Sequence, residues 1–515
     1  MSFGKSWGPG RGHLLSALAI LVAVMVTGLV CVGETTVTYV NAQDIWGLDP
    51  RVDTQGTSDG LFTNVFDPLW RVAFDPVRAE PALAVSWEYT DDVTLVVHLR
   101  QNVAWHDGQP FTADDVVATF KHLNDPKVSR YTWLKKVNLA HENNVEKVDD
   151  HTVIFHFSAP FAPGPLGFAT FFIQPAHIDP AQYANAAIGT GAYKLVEWRP
   201  KESIKLVANE SWWGWGALAP REGRPDVVYY RPVPEDYSRY AMLASGEADI
   251  AGGLLPERVP EIQASKTMRI ETIASLRNFY IGMNAWKPPF DDVRVRRALS
   301  YAIDWQAIVT NLLNGMGTTH TGFCGPSEYG YCADCYTYDY HYDPALCKQL
   351  LAEAGYPNGF KVTFSSPNGK YTKDLEISQA IVGFLQDVGL EVEIQAPAWT
   401  EYWSAYTNVQ MEIFLLSYGG IYPDCGDRAS GRLEKGAGGL YFNDPYSDQL
   451  FQQQRSTMDP EKRSAIWKDL NVFLNEQAPF ISGFDGNFIF GVQERIDWHP
   501  IPLEYVILWN VVVKK

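Results

Sequence analysis

Beyond residue 33 the chain carries Cys324, Cys332, Cys335, Cys347 and Cys425. Cys332-x2-Cys335, with Cys324, His341 and Cys347 close in sequence, has the spacing of a zinc site, since Cys-x2-Cys with a nearby His is a ligand pattern. In an exported chain the same thiols oxidise instead, and their odd number leaves one over. Cys347 lies in DPALCKQLLAEAGY, where Asp343 caps a helix, Pro344 takes its first position, and Cys347, Leu350, Leu351 and Ala354 share one stripe. It reads as a buried helix residue, which removes a ligand from the zinc set. The expectation is a local disulfide from Cys324 to Cys332 or Cys335, and no metal.

Other reactive combinations are weaker. Trp105-His106-Asp107 sets a base beside an acid, but adjacent residues in a turn cannot face one another as base and orienter. Gly189-Thr190-Gly191 lacks the Gly-Lys-Ser/Thr of a phosphate loop and runs into strand-like residues, so a tight turn before a strand accounts for it better. Nucleophile elbows, His-Glu-x-x-His and Walker loops are missing. No catalytic residue and no cofactor is expected; an exported hydrolase, its site assembled from distant residues, stands as the alternative of another class.

The elements around these residues are legible. From Ala84 to Leu123, Val93, Leu95, Val97 and Leu99 alternate with Thr94, Val96, His98 and Arg100, the period of a strand with one face on a core. Thr90-Asp91-Asp92 turns it back on Val85-Trp87-Tyr89, which predicts a hairpin. Gly108 and Pro110 break the next strand, and Thr112 with Asp115 caps a helix whose apolar positions are Val116, Val117, Phe120 and Leu123. Farther on, the helix Val293 to Ile303 has a stripe of Val295, Ala298, Leu299, Ala302 and Ile303, with Arg294, Arg296 and Arg297 expected as a solvated face. From Phe360 strands and helices alternate: strand Phe360 to Phe364, helix Asp374 to Val388, strand Leu390 to Ile394, helix Trp399 to Tyr406, strand Met411 to Leu416. This is an α/β pattern. Asp459 and Pro460 then start a helix burying Ile466, Leu470, Phe473 and Leu474.

With 515 residues, 46% hydrophobic and 20% charged, the chain has an ordinary globular composition. Its net charge of −18 argues against nucleic acid as a partner and against an electrostatic hold on anionic lipid. Lys5 and Arg11 precede the apolar run Leu14 to Val32, an export signal long enough to leave both a cleaved signal peptide and a retained membrane anchor open. Cys31 lacks the small residue that lipoprotein processing usually has immediately before the Cys.

Ala84, the strand Leu95 to Leu99, Arg100, Val103, Trp105, Asp107-Gly108, Pro110 and Asp114-Asp115-Val116 together resemble the signature segment of solute-binding protein family 5, the extracytoplasmic peptide, nickel and oligosaccharide receptors of ABC importers. Gly189 to Leu195, Asn209 to Trp213, Gly246 to Ile250, Asn284 and Pro289-Phe290 follow in the family's order, so the resemblance spans most of the chain. It implies a two-lobe α/β fold of the type II periplasmic-binding-protein kind, joined by a hinge. Lobe I would comprise 34–66, 187–288 and 489–515, with an inserted subdomain at 67–186, and lobe II would be 289–488. The implied function is capture of a solute, most of all a peptide, with oligosaccharide as alternative, and delivery to permease subunits in the membrane. A module that binds solute to signal is a further alternative. The chain would be a monomer, periplasmic or attached to the outer face of the cytoplasmic membrane.

The resemblance also implies site residues. Trp46 sits in a polar loop that in the family reaches the ligand cleft. Family members that bind peptides follow a strand like Met411 to Ser417 with an aromatic, two small residues and an Asp that pairs with the peptide's amino group. Here Tyr418, Gly419 and Gly420 are followed by Ile421, so that charge is missing unless Asp424 supplies it. Tyr418, Gly420, Tyr422 and Asp424 therefore complete the expected ligand contacts, and a free N-terminus is not expected to be held in the usual way.

Overall fold

The computed structural model describes residues 34–420, 422–503 and 506–514. The expected signal segment and Cys31 lie outside the described residues, and no helix among those described is long and apolar enough to cross a membrane.

The hairpin forms as its alternation requires: Ala84–Asp91 pairs antiparallel with Thr94–Leu99, in register Ala84 to Leu99 and Tyr89 to Leu95. With Thr152–His156 and Val145–Asp149 it makes a four-stranded sheet. Leu95, Val97 and Leu99 point into one core with Val116, Phe120 and Leu123 of the helix Ala113–Leu123. That helix begins with a full capping box: the Thr112 side chain accepts from the Asp114 amide, and Asp115 returns a bond to the Thr112 amide at 2.8 Å. Asp115 also accepts from the Trp105 indole at 3.2 Å and from the Ala176 amide at 2.7 Å. One carboxylate thus fixes helix, turn and a later loop.

The remaining strands form an eleven-stranded sheet. At one end lie Glu391–Gln395, Lys361–Ser365 and Ile413–Gly419, with Lys361–Ser365 parallel to both others. At the other lie Ile250–Ala251, Thr36–Asn41, Val227–Pro232, Ser203–Ala208 and Tyr193–Arg199. Two long strands, Met268–Met283 and Phe480–Gln493, run between the ends and pair antiparallel with each other. Their ladder is interrupted between Ala274 and Asn278, after which Met268–Met283 also takes Ile413–Gly419 as a neighbour, from Arg277 to Met283. The change of partners falls inside these two strands, near Ala274 and Asn487.

Two expectations are corrected. The arginines after Asp292 are not one solvated face: Arg294 is exposed, but Arg296 is buried and donates to the carbonyls of Phe290 and Gln477 at 2.8 Å each. Stripe position alone could not show that the C-terminus of the helix Pro460–Gln477 brings its orphan carbonyls to that spot. Burial lowers the Arg296 pKa to about 10. The disulfides also differ. Cys324 joins Cys425, 101 residues away, and Cys332 joins Cys335. Tyr329 bridges Asp424 and so brings the two distant segments side by side, a tertiary pairing that sequence proximity does not reveal. Cys347 is the buried free thiol of the helix Pro344–Glu353.

Candidate functional site

A cleft of about 950 Å³ opens where the two crossing strands change partners. Its floor comes from those strands: Phe279 and Phe484 stack at 4.8 Å with planes 8° apart, and Tyr371 meets Phe279 edge-on at 5.5 Å. One wall is the loop carrying Asp44 and Trp46, together with Lys201 and Pro256; the opposite wall is formed by Lys370, Tyr371 and Ile377.

Each wall is anchored by a carboxylate. Asp53 accepts from the amides of Trp46 at 2.9 Å and Gly47 at 3.0 Å, so the loop is held while the Trp46 indole stays 77% exposed on the cleft wall. Asp374, at the start of the helix Asp374–Asp387, accepts from the amides of Gly369, Lys370 and Tyr371 at 2.8–3.0 Å. The Tyr371 hydroxyl then donates to the Ser417 carbonyl at 2.9 Å, tying the opposite wall to the sheet. Between the walls Lys373 pairs with Glu257 at 2.5 Å, and the Asn314 side-chain amide donates to the Pro256 carbonyl at 2.7 Å.

The site residues expected from the sequence do not assemble at one place. Trp46 lines the cleft. Tyr418 faces a smaller cavity, with the Arg432 guanidinium 3.7 Å from its ring centre. Gly420 packs where an added Cβ would stand 3.1 Å from the Tyr422 carbonyl and 3.6 Å from the Asp427 carboxylate. Tyr422 is buried, its ring edge-on to Phe161 at 6.3 Å. Asp424 is fully buried, pairs with Arg463 at 2.6 Å and caps the helix Cys425–Leu433 through the Gly426 amide at 2.8 Å. A carboxylate so engaged has no oxygen turned to a cleft. Ile421 lies outside the described residues.

Near this segment is a buried polar cluster that sequence reading missed. Arg428 pairs with Glu328 at 2.7 Å and with Asp485 at 3.3 Å, and Asp485 meets His320 at 3.2 Å. Burial raises the Glu328 pKa to about 8 despite the guanidinium beside it, and Oε1 of Glu328 has no donor among the described residues. The cleft residues Lys201, Arg277, Phe279, Lys370 and Tyr371 were missed as well; only the strand register, which puts Arg277 opposite Gly419, brings them to one opening. His106 and Asp107 turn to different partners. The His106 ring meets the Gly191 carbonyl at 3.0 Å and the Gly189 amide at 3.3 Å, whereas Asp107 meets His177 at 2.7 Å. They do not form a catalytic pair.

Residues 78–437 match the model of the bacterial extracellular solute-binding proteins, family 5. The chain is 29% identical to the heme-binding protein A of Haemophilus influenzae, over 87% of this chain and 86% of that one. It is 28% identical to the dipeptide-binding protein of Escherichia coli, over 90% and 91%. The solved structure of HbpA2 from Haemophilus parasuis superposes with a TM-score of 0.84 at 22% identity, covering 93% of this chain and all (100%) of that one, which places the fold among two-lobe type II binding proteins. A cleft between two α/β halves, joined by a pair of strands that change neighbours midway, is thus the architecture of a known group: the chain belongs to the bacterial extracellular solute-binding proteins of family 5.

Proposed function

We propose that the protein captures a small peptide in the cleft between its lobes outside the cytoplasm and hands it to the permease subunits of an ABC importer, without chemical change to the solute. The observation that carries this reading is the cleft itself, about 950 Å³ and lined from both ends of the large sheet. A solute there touches both lobes only when they are together, so binding favours the closed arrangement. The similar dipeptide-binding protein of Escherichia coli supports peptide as the solute. Oligosaccharide is the second reading, favoured by the exposed Trp46 indole on the cleft wall, a flat surface for a sugar ring. The lobes are taken as 34–66, 187–288 and 489–515, with 67–186 inserted, and 289–488.

Among the expected contacts, Trp46 reaches the solute directly; Tyr418, Gly420 and Tyr422 shape the segment beside it. Because Asp424 is committed to Arg463, a peptide amine finds no carboxylate there. Calorimetry with matched free and N-acetylated peptides tests this. The expected result is measurable binding with less than a tenfold difference, about 1.4 kcal/mol, on acetylation. A larger loss would show that a carboxylate holds the amine, and turnover of any peptide would overturn the binding role.

A further inference from the structure

We propose that the cleft selects solutes of net negative charge, with carboxylates drawn to Lys370, Arg277 and Lys201; the proposal rests on the solute-capture reading above. The chain as a whole is acidic, with 60 Asp and Glu against 42 Lys and Arg. The cleft lining reverses that balance: its cations are Lys201, Arg277 and Lys370, and its acid is Asp44. Asp44 is already occupied, accepting from the Ile45 amide at 2.9 Å and the Lys201 amide at 2.6 Å. A basic lining in an acidic protein is not explained by solubility, which the rest of the surface supplies.

The cations come from three parts of the fold, and each is positioned. Lys201 follows Pro200 at φ +66° in the turn between Tyr193–Arg199 and Ser203–Ala208, and its amide bond to Asp44 fixes that turn at the rim. Lys370 is set by the Asp374 bond to its amide, with its ammonium 5.1 Å from the Trp399 ring centre. Arg277 lies on a crossing strand, its guanidinium near Gly419 and 6.0 Å from the Tyr371 ring centre. Neither Lys201 nor Lys370 has an ion-pair partner among the described residues. Low-dielectric walls focus such a field on the space between them. Because Lys201 and Lys370 stand on opposite walls, an anion between them attracts both and adds to the free energy of closure, which a neutral solute does not. The stacked Phe279 and Phe484 rings leave an apolar seat for the uncharged part of the same solute.

Size-matched peptides of two to five residues, differing by Glu against Gln at one position, test this by calorimetry at low and high NaCl, with citrate as a non-peptide anion. The expected result is ~10-fold tighter binding of the Glu member at low salt, narrowing at high salt as the charges are screened. In Lys201→Glu and Lys370→Glu the preference, read as the ratio of Glu-peptide to Gln-peptide affinity within each variant, should shrink or reverse. Both side chains are exposed, and an unchanged melting temperature would separate this from misfolding. If Gln peptides bind as tightly as Glu peptides, the charge inference falls and peptide capture stands. If no peptide binds but citrate does, and Lys370→Glu abolishes it, the charge inference stands and peptide capture falls. If neither peptides nor citrate bind, the charge inference is overturned too.

Discussion

In the proposed lobe arrangement, residues 67–186 touch the first lobe and the second in different ways. Against the first lobe the contact is buried and dense in hydrogen bonds. Asp67 accepts from the Trp213 indole at 2.7 Å, the Trp212 indole at 3.2 Å and the Thr190 hydroxyl at 3.1 Å, and pairs with Arg71 at 2.7 Å. The backbone takes part as well, the His106 amide donating to the Gly189 carbonyl at 2.8 Å. Against the second lobe the contacts are thin: Lys136 to Asp427 at 2.9 Å, the Ala162 amide to the Arg455 carbonyl at 2.6 Å, and the Phe161 and Tyr422 rings. The first face is tied by more hydrogen bonds than the second, where the buried Phe161 and Tyr422 rings and the Lys136–Asp427 pair carry the contact. In the proposed lobe arrangement this difference predicts that residues 67–186 move with the first lobe and that the cleft opens against the second.

The largest expected effect breaks the fixed face. Asp67→Ala strips the acceptor from two indoles, a hydroxyl and a largely buried guanidinium, and should cost roughly 3–5 kcal/mol of stability in urea unfolding, as breaking a buried pair does. A cost near zero would mean that the two faces are alike. Next is the disulfide Cys324–Cys425, which pins the segment offered to the insert. Its long loop predicts a loss of about 2–4 kcal/mol on reduction.

The pH dependence should differ between the faces in sign. Burial lowers the His106 pKa to about 4 at the fixed face, so between about 4 and 6.5 the unfolded chain binds the extra proton, and stability falls on acidification through that window. Glu328, raised to about 8 beside the second face, holds a proton in the fold that the unfolded chain releases above 4.5, so its contribution to stability declines as pH rises from about 4.5 to 8. Melting curves of His106→Gln and Glu328→Gln should lose these opposite slopes, each in its own window. The smallest effect is Lys136→Ala: its side chain is 41% exposed, but the substitution takes a charged donor from Asp427, which is 2% exposed, so the loss should be about 1–3 kcal/mol.

The same contrast explains what was legible in the sequence. The hairpin, the Thr112 capping box, the Asp343 and Asp459 caps and the buried Cys347 are local patterns, and the chain adopts them. Gly189-Thr190-Gly191 was legible as a turn because the close approach it allows leaves glycines in the sequence. Arg296, the Cys324–Cys425 bond and the engagement of Asp424 by Arg463 depend on segments tens of residues apart meeting in space, and no local spacing marks them. The cleft cations were hidden for the same reason, since Lys201, Arg277 and Lys370 become neighbours only through the strand register.

The central claim is that a solute closes the second lobe onto the first. Small-angle X-ray scattering of the protein stripped of solute, and again with a peptide shown by calorimetry to saturate it, tests that directly. The account predicts a smaller radius of gyration with solute, with a variant lacking the Lys373–Glu257 pair, Lys373→Ala, shifted toward the open form when empty. An identical scattering curve with and without saturating solute would contradict it.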